Sequence, residues 1–254
     1  MHLSPLLLVA FAAGLIRAPL PAQGFYKRLP NDYLRTADDN AATRLDARLA
    51  SGEIELPMTG RSGRLLALLR ALDVPVSSQT LVFSKTSKQR HRVSPHNPRA
   101  LYFHRDAYVG YIPGAESIEL IVGDDRLGLA FYRVPQGDDA PVRIIRDDTC
   151  LSCHASARTH DEPGLLLRSV FPDENGDPIA SAGETQMDFR SPIVERWGGW
   201  LVTGTFRGQH RGNGIATRGE FDSEWHVTSR PAEDLRAFAD QFDVGAYPVA
   251  TSDI

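Results

Sequence analysis

The chain has 254 residues, 42% of them hydrophobic and 24% charged, with a formal net charge of -4 at pH 7. That length suits one large domain or two small ones and is enough to bury a sizeable core. The balance excludes a disordered chain and gives no electrostatic basis for nucleic-acid binding.

Residues 6–16 (LLLVAFAAGLI) form an uncharged apolar run. A bilayer span needs about 20 such residues, so the run is too short to cross. It suits the h-region of a secretory signal with a small-residue cleavage site near Ala18 or Ala22. Residues 1–22 are therefore expected to be a signal peptide, with no transmembrane span beyond it and a periplasmic or otherwise extracytoplasmic destination. The n-region MHLS lacks Lys and Arg, and Pro19 and Pro21 crowd the cleavage site. A buried N-terminal helix is the alternative.

Gly24 to Asn40 is polar and irregular. Asp38-Asp39-Asn40 is a capping group for a helix over 41–50, stopped by Ser51-Gly52. Residues 64–72 place apolar side chains at 65, 66, 68, 69 and 72, a helical pattern that ends before Pro75. Residues 23–79 thus read as an N-terminal helical region.

From Thr80 the pattern changes. Leu81-Val82-Phe83 is a short strand-type run, and Lys85 to Arg92 is a basic loop. Strands are expected at about 100–104, 107–112, 117–122, 128–134 and 142–146, separated by turn signals such as Arg105-Asp106 and Pro113-Gly114. Closely spaced strands with tight turns imply an antiparallel sheet. Further strands are expected at 165–171, 179–182 and 200–206, and a last helix from Pro231 to Phe242. Val249 to Ile254 carry no stop signal, and we expect the chain to be a fragment that continues past its end. The predicted fold class is α+β: an antiparallel core with flanking helices, residues 80–254 forming a mixed domain.

Between the predicted strands lies Cys150-Leu151-Ser152-Cys153-His154, which reads C-x-x-C-H. This is the pattern for covalent attachment of a c-type haem. Two thiols add to the two porphyrin vinyl groups, and the two intervening residues let both sulfurs reach from one turn. His154 is then carried under the ring as proximal iron ligand. Asp148 or Thr149 is the expected N-cap of a helix running through Ala155 to Arg158. Cys150 and Cys153 are the only cysteines, and haem c is attached outside the cytoplasm, where the signal segment would send the chain.

Three other readings of the cysteines stand beside this one. A thioredoxin-like dithiol uses C-x-x-C at a helix start, but here Arg146-Asp147-Asp148 precedes the motif, with no aromatic residue before Cys150. A structural zinc site needs four ligands, and no second C-x-x-C exists. A plain disulfide is the third.

Four stretches carry a resemblance to a family. They are Ser84-Lys85-Thr86-Ser87 with Pro98 to Phe103; Tyr108-Val109-Gly110 with Leu127-Gly128 and Phe131-Tyr132; Cys150 to His154 with Arg168 to Pro172; and Ser191-Pro192 with Arg196 to Thr205. Over about residues 80–213 the chain resembles the uncharacterised cytochrome c domain-containing proteins of planctomycetes and other bacteria. The resemblance implies one covalent haem and electron transfer in an exported protein, without naming a substrate or redox partner. A looser likeness is to haem-bearing PAS-type sensor domains, an architectural analogy.

The sixth iron position decides the chemistry: a strong ligand makes an electron carrier, an open site permits gas binding or peroxide chemistry. Met187, in a polar stretch, and His210, flanked by Gly208 and Gly212, are the candidate distal ligands. His96, His104 and His160 are weaker candidates, and His91 and His226 read as solvated. Trp197 and Trp200 read as core aromatics or as a wall of the haem edge. Arg168 and Arg196 are candidates to pair with haem propionates. The first functional reading is a monohaem electron carrier with no catalytic residues. A haem-based redox or gas sensor is the second, and a peroxidase-like enzyme the third.

Overall fold

The computed structural model describes residues 32–137, 142–219 and 224–253. The expected signal segment lies outside the described residues.

A seven-stranded antiparallel sheet organises the molecule. Its strands are β1 (Thr80–Val82), β2 (Arg99–His104), β3 (Ala107–Tyr111), β4 (Ser117–Asp124), β5 (Gly128–Pro135), β6 (Ile145–Arg146) and, after two strands elsewhere, β9 (Trp200–Leu201). Their order across the sheet is β6-β5-β4-β3-β2-β1-β9. Tyr102 pairs with Val109, Val109 with Leu120 and Leu120 with Tyr132. Because side chains alternate along a strand, that register stacks Tyr102, Val109, Leu120 and Tyr132 on one face, where all are buried.

Two helices share a single hydrophobic cluster with this face, α1 (Ala41–Ala50) through Leu45 and Leu49, and α2 (Leu65–Ala71) through Leu65, Leu68 and Leu69. Each buried leucine contributes about 1.5–3 kcal/mol. The helical region and the sheet therefore have one core. Of the three capping candidates, Asn40 performs the role. Its Oδ1 accepts from the backbone N–H of Ala42 and Thr43, and Thr43 Oγ1 accepts from the Asn40 N–H. Asn40 Nδ2 also donates to Asp124 Oδ2 at 2.9 Å and to the Tyr132 hydroxyl at 2.7 Å, so one side chain caps α1 and ties it to β4 and β5.

The later chain departs from expectation. The strand expected over 142–146 is only β6. Residues 180–182 form a 3-10 turn, and the strand comes after it: β8 (Glu184–Gln186) pairs with β7 (Arg168–Val170). The strand expected over 200–206 stops at Leu201. Beyond it, the Val202 N–H donates to Asn213 Oδ1 and the Thr203 N–H to the Ser252 carbonyl, so the edge is satisfied by loops instead of a partner strand. The helix expected over 231–242 is a 3-10 turn, Leu235–Phe238. Its apolar positions Leu235, Phe238 and Phe242 are buried as the pattern implies, but the Leu235 N–H donates to the Ala250 carbonyl. A ribbon of β10 (Ala216–Arg218) and β11 (Trp225–Val227) was not signalled. Among the described residues, no helix is long and apolar enough to cross a membrane.

Candidate haem-attachment site

The motif sits where the chain leaves the sheet. The Asp147 N–H donates to the Phe131 carbonyl at 2.8 Å, extending the β5–β6 pairing by one bond. A 3-10 turn, Asp148–Cys150, runs directly into α3 (Leu151–His154). The cap is Asp147, not Asp148 or Thr149: its carboxylate accepts from the Thr149 N–H at 3.2 Å and from Lys88 Nζ at 2.9 Å. The helix also ends at His154 instead of running through Arg158. Ala155 leaves the helical region at φ -136°, and a separate 3-10 turn follows at Ala157–Thr159. Leu151 and Ala155 are buried in the main core and anchor the turn.

This geometry carries both cysteines on one turn. Both are free thiols, Cys150 partly buried and Cys153 exposed. Burial pushes the Cys150 thiol up to about 11, with the Asp147 and Glu119 carboxylates adding and Lys88 opposing. A redox dithiol needs the opposite shift, toward thiolate.

His154 is held through Nδ1, 2.9 Å from the Gly164 carbonyl. A carbonyl only accepts, so Nδ1 carries the hydrogen and Nε2 keeps its lone pair. The ring packs on Phe131 with centroids 4.9 Å apart. Burial, aided by the Arg99 cation, pushes the imidazole pKa down, against the Gly164 bond and the Glu119 charge. The side chain is thus a neutral imidazole fixed in the tautomer that ligates through Nε2.

Beside it, the second face of the sheet is only partly covered. Phe131 pairs with Ile121, Tyr108 pairs with Ile121, and Phe103 pairs with Tyr108, so these four side chains form one row leading away from His154. Phe131 is buried, Ile121 and Tyr108 are half-buried, and Phe103 is 47% exposed. Leu165 and Leu167, just past Gly164, are also exposed. Two thiols on one turn, an imidazole with a free Nε2 and an apolar row that opens to solvent at its Phe103 end fit the needs of a covalently attached haem. Zinc would need more: among the described residues no three His, Cys, Asp or Glu side chains group to hold a metal ion.

The candidate distal ligands are placed elsewhere and are engaged. Met187 is buried with Val82 and Trp200, and its sulfur accepts from the Trp197 N–H at 3.2 Å. His210 Nδ1 accepts from the Gly212 N–H at 2.9 Å, which puts the proton on Nε2, the opposite tautomer to His154. His210 lines a cleft of about 760 Å³ with Phe171, Phe206, Arg211, Trp225 and His226; no motif residue lines it. His96 and His160 are exposed, as is His91. His104 lies against a separate surface hollow beside α2. Trp197 and Trp200 meet edge-to-face, 5.6 Å apart, and pack with Met187.

The expected propionate partners are also committed. Arg168 pairs with Glu184, and Arg196 donates to the carbonyls of Ser191 and Phe189. The basic run is largely neutralised: Lys85 pairs with Asp177, Lys88 with Asp147 and Arg92 with Glu116. Sequence reasoning missed a different pair, Arg99 and Glu119, 2.5 Å apart on the second face. No protein-family model, curated protein or solved structure matches the chain.

Proposed function

We propose that the chain is an exported monohaem c-type cytochrome that passes single electrons, with haem joined through Cys150 and Cys153 and iron held by His154. The observation that carries this reading is the His154 tautomer, with Nδ1–H spent on Gly164 and Nε2 free, at the end of the turn that bears both thiols. The family resemblance over residues 80–213 supports the same reading. The haem, once attached, supplies a one-electron iron couple. The chain's own part is to keep His154 neutral by burial, to fix its ring between Gly164 and Phe131, and to offer the row from Phe131 to Phe103 as an apolar bed. No catalytic residue is assigned.

A second reading, a redox or gas sensor with an open sixth position, is favoured by one observation: Met187 and His210 are both engaged by backbone N–H groups. A peroxidase-like enzyme ranks third, since a single C-x-x-C-H is present. The test is an optical spectrum of protein co-expressed with a cytochrome c maturation system, oxidised, reduced and under CO. Sharp low-spin bands unchanged by CO support the electron carrier. High-spin bands with rapid CO binding transfer the protein to the sensor reading.

A further inference from the structure

We propose that the Arg99–Glu119 ion pair is the electrostatic floor of the haem site, its two charges biasing the iron's reduction potential in opposite directions. The proposal rests on the haem reading above and names residues to which neither the motif nor the resemblance gives a role.

The pair is placed by sheet register. Leu101 lies opposite Gly110, and Gly110 opposite Glu119. Arg99, two residues before Leu101, emerges on the same face and bends back across β3 to reach Glu119. Only glycine leaves room for this. A Cβ at Gly110 would lie 2.6 Å from Arg99 Nη2 and 3.1 Å from Glu119 Oε2. Gly110 thus leaves open the space through which the two side chains meet.

The pair is largely out of water, with side chains 18% and 21% exposed. Gln89 Nε2 donates to Glu119 Oε1 at 3.2 Å, while Arg99 Nε is buried with no partner. Such a pair is not a good source of stability, since desolvation offsets its attraction. An Arg with an unmet buried donor is costlier still. What the pair does have is position. It shares the face that carries Phe131, on which the His154 ring packs, and Glu119 lies two residues along β4 from Ile121, the register partner of Phe131. An iron held by His154 would lie on the same side of the sheet as both charges. Reduction removes one positive charge from the metal. A nearby cation favours the reduced form and a nearby carboxylate the oxidised one, most strongly where water is excluded.

The experiment is a spectroelectrochemical titration of wild-type protein, Arg99→Gln, Glu119→Gln, the double variant and Arg99→Lys, all matured with haem. The potential should fall in Arg99→Gln and rise in Glu119→Gln. The double variant should lie between the two, and Arg99→Lys, which keeps the charge, should stay near wild type. Shifts of the same sign, or no shift, overturn the proposal. So does an Arg99→Lys potential as low as that of Arg99→Gln, which would mark a packing role. If one single variant fails to fold, the sign in the other decides. Wild-type protein with no covalent haem overturns the haem reading itself, and this proposal with it. Covalent haem without opposed shifts overturns this proposal alone.

Discussion

The thiol of Cys150 offers a test that needs no haem. In the folded chain its pKa is raised from an ordinary 9.0 to about 11, mainly by burial and next by the Asp147 carboxylate. Only the thiolate attacks an alkylating reagent. At a pH below both values, the two-unit difference leaves the folded thiol about 100-fold less ionised than the unfolded one. Iodoacetamide labelling of the haem-free chain at pH 8, followed by peptide mass spectrometry in buffer and in urea, measures this ratio. Cys150 should label about 100-fold more slowly folded than unfolded, and exposed Cys153 should label first. Asp147→Asn should speed Cys150, because it removes a charge that disfavours the thiolate. A folded Cys150 that reacts as fast as in urea, or faster than Cys153, would refute the reasoning and return the motif to a redox dithiol.

Other outcomes follow from the same structure. Asn40→Ala removes the α1 cap and both bonds to Asp124 and Tyr132, and should cost about 2–4 kcal/mol; a loss under about 0.5 kcal/mol in urea unfolding would contradict the assigned role. Gly198→Ala would set a Cβ 2.1 Å from the Val170 carbonyl oxygen, overpacking the β7–β9 junction by about 1–3 kcal/mol; unchanged stability would show that the junction yields. Stability should also respond to pH in two stages. His154 and His210 have pKa values pushed down by burial from 6.5, so the unfolded chain binds protons first, and stability present above about 6.5 should decline as pH falls below it. Asp46, held down by Arg143, and Glu184, held down by Arg158 and Arg168 against its own burial, add a second decline below their ordinary values of 3.8 and 4.5. A urea midpoint that rises between pH 7 and pH 5 in the haem-free chain would show that the histidines are not buried as described.

The sheet was legible because β2 to β5 are short apolar runs joined by strong turn signals, and β4 alternates along its whole length. Both N-terminal helices were legible for the same reason, the apolar stripe of α2 matching buried Leu65, Leu68 and Leu69. After residue 170 local pattern and structure part company. Asn213 and Ser252 satisfy backbone groups that a strand would otherwise pair, and no local pattern announces a partner fifty residues away. That Cys150, Cys153 and His154 share one turn was legible from their spacing. The cap shifted to Asp147 because its N–H continues the β5–β6 pairing, a long-range bond. Arg99 and Glu119 were invisible for a related reason: they meet only through the pairing of β2, β3 and β4, and their one local trace is a glycine inside a strand.

The central claim is that Cys150 and Cys153 hold one haem. Intact mass and an alkaline pyridine spectrum of the matured protein address it most directly, in wild type and in Cys150→Ala/Cys153→Ala. The account predicts one haem that survives acid–acetone extraction in wild type, with the bands of a ring joined by two thioethers, and none in the variant. A wild-type protein that leaves maturation without haem, or a variant that keeps it covalently, would contradict the account.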